Sequence, residues 1–149
     1  MRTFLITLVV VTVGLVAVPA LADDGGRPFT TALTGAAEAP GPGDPNASGT
    51  ASLRLNPGQG EVCFDLSWAD IDGEVFAAHI HVAPAGSPGP IVVPLFTGSF
   101  VGTGNLSDCV EGVDRGLIRV IIQNPEAYYV NVHSRPNFPG GAIRGQLSR

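Results

Sequence analysis

The chain has 149 residues with 20 Gly and 13 Pro, and its thirteen acidic groups outweigh eight basic ones to give a formal net charge of −5. Every basic residue is Arg. This balance argues against nucleic acid and anionic membrane surfaces as partners, because both select basic patches. Only two Cys and three His are present, so redox or metal chemistry would have to be built from very few groups.

The N-terminus carries the three parts of an export signal: Arg2, an apolar run over residues 4–18, and the small-x-small pattern Ala20-Leu21-Ala22. Cleavage after Ala22 is expected. An uncleaved anchor would need about 20 apolar residues in succession, and Gly14 and Pro19 interrupt this stretch. Removing residues 1–22 leaves 127 of the 149 residues, with seven Arg against thirteen acidic groups and a net charge of −6. A short segment, 23–28, then precedes one domain over 29–149. No membrane insertion is expected after cleavage, and the protein is placed outside the cytoplasm, in the medium or the cell envelope.

Beyond the signal, short alternating segments are separated by Gly/Pro clusters, the pattern of an all-β sandwich or barrel. Residues 29–33 open the series, and a loop with Pro40, Pro42 and Pro45 follows. Residues 49–55 place Ala51, Leu53 and Leu55 on one side and Ser52 and Arg54 on the other. Residues 56–60, Asn-Pro-Gly-Gln-Gly, read as a hairpin turn into a strand over 61–68. There Val62, Phe64, Leu66 and Trp68 face the core, while Glu61, Cys63, Asp65 and Ser67 face away. After a turn at 70–73, the strand over 75–82 has Phe76, Ala78, Ile80 and Val82 as its more apolar face. Pro94 makes the run over 91–96 an edge strand or the end of one. Residues 114–124 fit either a strand or a helix with Asp114 as N-cap and Pro125 just beyond the end. Strands over 128–134 and 142–147 finish the chain, joined by a turn-rich segment.

All three histidines lie in two of these strands, Ala77-Ala78-His79-Ile80-His81 and Tyr129-Val130-Asn131-Val132-His133. Side chains two apart in a strand share a face, so His79 and His81 stand together, as do Tyr129, Asn131 and His133. If the two strands are neighbours, three imidazoles gather in one place. Cys63 and Cys109 are an even pair in an exported chain and are expected to form a disulfide. No C-x-x-C motif marks a redox-active pair.

The segments Leu33-Thr34-Gly35-Ala36-Ala37-Glu38-Ala39-Pro40, Ala77-Ala78-His79-Ile80-His81, residues 89–95, Tyr129-Val130-Asn131-Val132-His133-Ser134 and residues 140–147 together resemble the CHRD domain. This module is repeated in chordin and stands alone in many secreted bacterial proteins. The likeness spans roughly residues 29–147, with Ala39 where the family more often has Val and Ser134 where it often has Thr. It implies an immunoglobulin-like antiparallel β-sandwich or barrel with one short helix near 114–124. It does not imply an enzyme, and the growth-factor binding of chordin cannot be moved to this chain on fold alone.

Three uses of the histidines compete. The simplest is structural, with each ring hydrogen-bonded to Glu38, Asn131 or backbone carbonyls. The second is a copper or zinc site made by His79, His81 and His133, with polar neighbours such as Glu38, Asn131 and Arg144 orienting the rings. The third, a redox site like that of the copper/zinc superoxide dismutases, lacks the histidines for two metals. No Gly-x-Ser-x-Gly elbow or other nucleophile motif points to hydrolysis. The sequence therefore reads as a non-catalytic binding or structural module with no cofactor assigned beyond a candidate copper or zinc ion, and with an unidentified extracellular or envelope protein as partner. Its alternative is an exported copper- or zinc-binding protein.

Overall fold

A computed structural model describes residues 25–149; the export signal expected at 1–22 lies outside the described residues. The alternating segments form eight strands: β1 (Arg27–Thr34), β2 (Ser48–Asn56), β3 (Glu61–Ala69), β4 (Glu74–Val82), β5 (Ile91–Val101), β6 (Gly104–Val110), β7 (Tyr128–Arg135) and β8 (Phe138–Gln146). They make one sheet in the order β5-β4-β7-β8-β1-β2-β3-β6, and every pairing is antiparallel. The two edge strands, β5 and β6, are consecutive in the chain, and only Gly102 and Thr103 separate them. So short a link brings the opposite edges together, and the sheet curls into a nearly closed barrel.

Local chemistry explains the elements. Alternation in β2 and β3 sends Ala51, Leu53, Leu55, Val62, Phe64, Leu66 and Trp68 into the core. In the β2–β3 turn the Asn56 Oδ1 accepts from the N–H groups of Gly58 at 3.0 Å and Gln59 at 3.2 Å, closing the hairpin with a side chain. Between β6 and β7 lies the one α-helix among the described residues, α1 (Arg115–Gln123). The Asp114 carboxylate accepts from the Leu117 N–H at 2.7 Å, capping the first turn. Ile118 and Ile121, one turn apart, enter the core, so capping and burial select the helix where alternation alone left the choice open.

One expectation needs correction, one edge strand runs further than its sequence signals, and one strand is additional. Phe76 is not a core residue of β4: the pairing of β4 with both neighbours slips between Val75 and Ala77, so Val75 is buried in the core while the Phe76 ring lies 6.0 Å from that of His133. A bulge of this kind shifts the alternation by one place. Pro94 does stand in an edge strand, but the strand continues through it to Val101. Finally, β6 was not anticipated. Its sequence, Gly-Asn-Leu-Ser-Asp-Cys-Val, is mostly exposed and has little apolar alternation.

Candidate functional site

β7 is buried along nearly its whole length, on both faces. Val130 and Val132 belong to the barrel core, whereas Tyr129, Asn131 and His133 point to the outer face and are nonetheless only 3%, 1% and 6% exposed. That face should be wet, and something covers it. The cover consists of the loop between β4 and β5, the segment after β1 that carries Glu38, and the start of β8. Beneath it lies a small polar interior holding all three histidines.

Register places the rings. His79 pairs with Asn131, His81 with Tyr129 and Ala77 with His133, so the three imidazoles converge from adjacent strands. Ring centroids are 4.7 Å apart for His79 and His133, 5.5 Å for His79 and His81, and 6.0 Å for His81 and His133. One ring nitrogen from each lies within 4.8 Å of the others. The convergence expected from the spacing of the sequence is present.

Hydrogen bonds to carbonyls fix which nitrogens carry protons, since a carbonyl oxygen only accepts. The Nδ1–H of His81 donates to the Gly89 carbonyl at 2.8 Å, and the Nδ1–H of His133 donates to the Pro139 carbonyl at 3.0 Å. Both rings, when neutral, therefore present a bare Nε2. The His79 Nδ1 lies 2.9 Å from the His133 Nε2 and donates to it in the neutral cluster. The Nε2 of His81 is buried and has no hydrogen-bond partner.

Burial and mutual repulsion hold the cluster neutral. His79 is pushed down to about 4 by desolvation, with further lowering from His133 and His81. Desolvation also lowers His81, against the pull of the Gly89 carbonyl and Asn131, and lowers His133, against the pull of the Pro139 carbonyl. Glu38 moves the opposite way. Burial raises its carboxyl to about 7, despite Asn131, the Arg144 charge and the Ala39 backbone.

A second layer holds the rings in place. His81 stacks on Tyr129, with centroids 4.8 Å apart and planes 8° apart, and the Arg144 guanidinium sits 3.4 Å from the Tyr129 centroid. Arg144 is 1% exposed. It donates to the carbonyls of Ser87 at 2.8 Å and Pro84 at 3.0 Å and to the Gln146 Oε1 at 3.0 Å. Neutral acceptors and an aromatic face satisfy this buried cation. Gly89 is tied twice, since its carbonyl accepts from His81 and its N–H donates to the Tyr129 hydroxyl at 3.2 Å. A Cβ on Gly89 would meet the Val82 carbonyl oxygen at 2.0 Å, and one on Gly141 would meet the Glu38 Oε1 at 2.4 Å. Gly89 is required by close approach to backbone, and Gly141 by its φ of +144°.

Sequence reasoning found His79, His81, His133, Glu38, Asn131 and Arg144, and all six lie in or beside this polar interior. It missed Gly89, Pro139 and the stacking role of Tyr129. The two carbonyls act through backbone, which leaves no mark on residue type, while the Tyr-x-Asn-x-His spacing did place Tyr129 on the correct face. Cys63 and Cys109, directly paired across β3 and β6, are joined in a disulfide. Their sulfurs lie near Glu61, but a disulfide offers no thiolate to a metal.

Together these features define an all-β domain of one curled sheet with a buried, histidine-bearing polar interior on its outer face. The chain belongs to the CHRD domain family, whose model matches residues 29–147. The family is one of non-enzymatic domains that are typically extracellular. No curated protein and no solved structure matches the chain. Among the described residues, no helix is long and apolar enough to cross a membrane.

Proposed function

We propose that this CHRD domain is an exported, non-catalytic module that binds one copper or zinc ion through His79, His81 and His133. The observation that carries the reading is the bare, buried Nε2 of His81, unpartnered and facing a second pair of imidazoles. Leaving a buried polar atom unpaired costs about 1–3 kcal/mol, and a metal ion would remove that cost. The supporting features are neutral rings, the Nδ1–H groups of His81 and His133 anchored on carbonyls so that their Nε2 atoms face inward, a His79 ring whose Nδ1 meets the His133 Nε2, and little room for the rings to rotate. Three such nitrogens at about 2.0–2.1 Å from an ion leave a fourth position for water or another ligand. Export is supported by Arg2, the apolar run over 4–18 and Ala20-Leu21-Ala22, and by the disulfide, which belongs to oxidising compartments.

The competing use is structural, with the hydrogen bond between His79 and His133 simply tying β4 to β7 while the domain engages an envelope or extracellular protein. Calorimetric titration of copper(II) or zinc(II) into tag-free, chelator-treated protein separates the two. The expected result is one ion per chain, lost in His81→Ala. An absence of stoichiometric heat, or an unchanged titration in that variant, leaves the structural reading.

A further inference from the structure

Three buried side-chain atoms lack a hydrogen-bond partner among the described residues: Oε1 of Glu38, Nε2 of His81 and Oδ1 of Asn131. They are not scattered. Asn131 interacts with Glu38 on one side and with His81 on the other, so all three orphans belong to one chain of contacts. Buried polar groups are ordinarily paired, and a cluster of exceptions calls for a cause.

The carboxamide of Asn131 has a donating end and an accepting end. Since the Nδ1–H of His81 is committed to Gly89, the Nε2 lone pair can accept but cannot donate. With the Asn131 oxygen toward His81, two acceptors face each other and both stay unpaired. Half a turn of the amide reverses this. Nδ2–H then donates to the His81 Nε2, and Oδ1 accepts from Glu38, provided that the carboxyl carries its proton. All three orphans are then satisfied together.

We propose, resting on the metal reading above, that Asn131 is a two-position gate on the His81 Nε2. In one position its amide occupies the lone pair while Glu38 is a neutral acid. In the other it turns its NH2 to a Glu38 carboxylate and frees the lone pair for the ion. Metal entry then releases one proton from Glu38 to solvent and replaces the His79–His133 hydrogen bond with bonds to the ion, the His79 proton passing to its other ring nitrogen where Nδ1 is the ligand; metal loss reverses each change. The proton has a way out, because Glu38 also lines a cleft of about 260 Å³ with Pro40, Pro42, Phe138 and Gly141. The groups facing this carboxyl are Asn131 on β7 and the Arg144 cation on β8, and Arg144 also acts on His81. The burial that raises Glu38 favours the acid form the metal-free position needs, while the lowered histidines have no protons of their own to release near neutrality.

The test is zinc chloride titrated at pH 6 into tag-free, metal-free protein in two buffers of different ionisation enthalpy. Wild type is expected to release about one proton per zinc and Glu38→Gln close to none. Zinc binding with equal release in both proteins, or with none in wild type, overturns the gate and leaves the metal site standing. An absence of zinc binding in wild type overturns both. A metal-free readout stands beside it: the side-chain NH2 resonances of Asn131 should shift with a midpoint near pH 7 in wild type and stay flat in Glu38→Gln. Flat resonances in wild type overturn the gate whatever zinc does.

Discussion

At the scale of single residues, the polar interior contains two opposing pH dependences. Glu38 titrates at about 7 in the fold against an ordinary 4.5, so the folded state binds a proton that the unfolded chain has already lost. Its contribution is fully present below pH 4.5 and disappears as pH rises through 7. His79 behaves in reverse: at about 4 in the fold against 6.5 ordinarily, its contribution is present above 6.5 and is lost as pH falls toward 4. Replacing Glu38 by Gln removes the first dependence and leaves the second. Relative to wild type, the metal-free variant should therefore gain about 1–3 kcal/mol between pH 5 and pH 8, read from urea denaturation midpoints at the two pH values. A difference that does not change with pH would show that the carboxyl is not protonated in the fold at neutrality.

At the scale of elements, β7 and the loop before β5 decide the site. A strand buried on one face needs only alternation, and alternation was legible: the spacing of His79, His81, Asn131 and His133 placed four side chains on the right side of two strands. What residue types could not disclose was the covering of the second face. That cover depends on the Gly89 and Pro139 carbonyls and on the absence of a Cβ at Gly89, where one would collide with the Val82 carbonyl oxygen. Nor could they disclose the slip between Val75 and Ala77, which is a property of backbone pairing and moves Phe76 from the core to the histidine side. The loop's dependence on a missing Cβ can be tested directly. Gly89→Ala should destabilise the domain by about 1–3 kcal/mol, the usual cost of overpacking, and loosen the hydrogen bond that orients His81. Denaturant midpoints measure the first effect, and the His81 Nδ1–H resonance, exchanging faster than in wild type, measures the second.

At the scale of the whole molecule, the sheet is curled by a two-residue link and fastened by one covalent bond. Most of this architecture could be read from the sequence, and the helix over residues 114–124, which periodicity left open, was implied by the family likeness. β6 escaped because an exposed edge strand has no apolar face to announce it, and its clearest signal was Cys109, whose partner already lay in a recognised strand. The disulfide joins residues 46 apart, and by loop entropy it should stabilise the fold by about 4 kcal/mol, less any native strain. Urea denaturation with and without reductant should show that difference as a lower midpoint for the reduced protein, and coincident curves would refute it. The seam itself is spanned by Trp68, the one tryptophan in the sequence. Its indole N–H donates to the Gly102 carbonyl at 3.1 Å, and its ring packs on Phe96 and Phe100 of β5. A chromophore standing astride the join makes this domain its own fluorometer: its emission colour follows the parting of the barrel's free borders, from the inner side of the wall whose outer side carries the histidines.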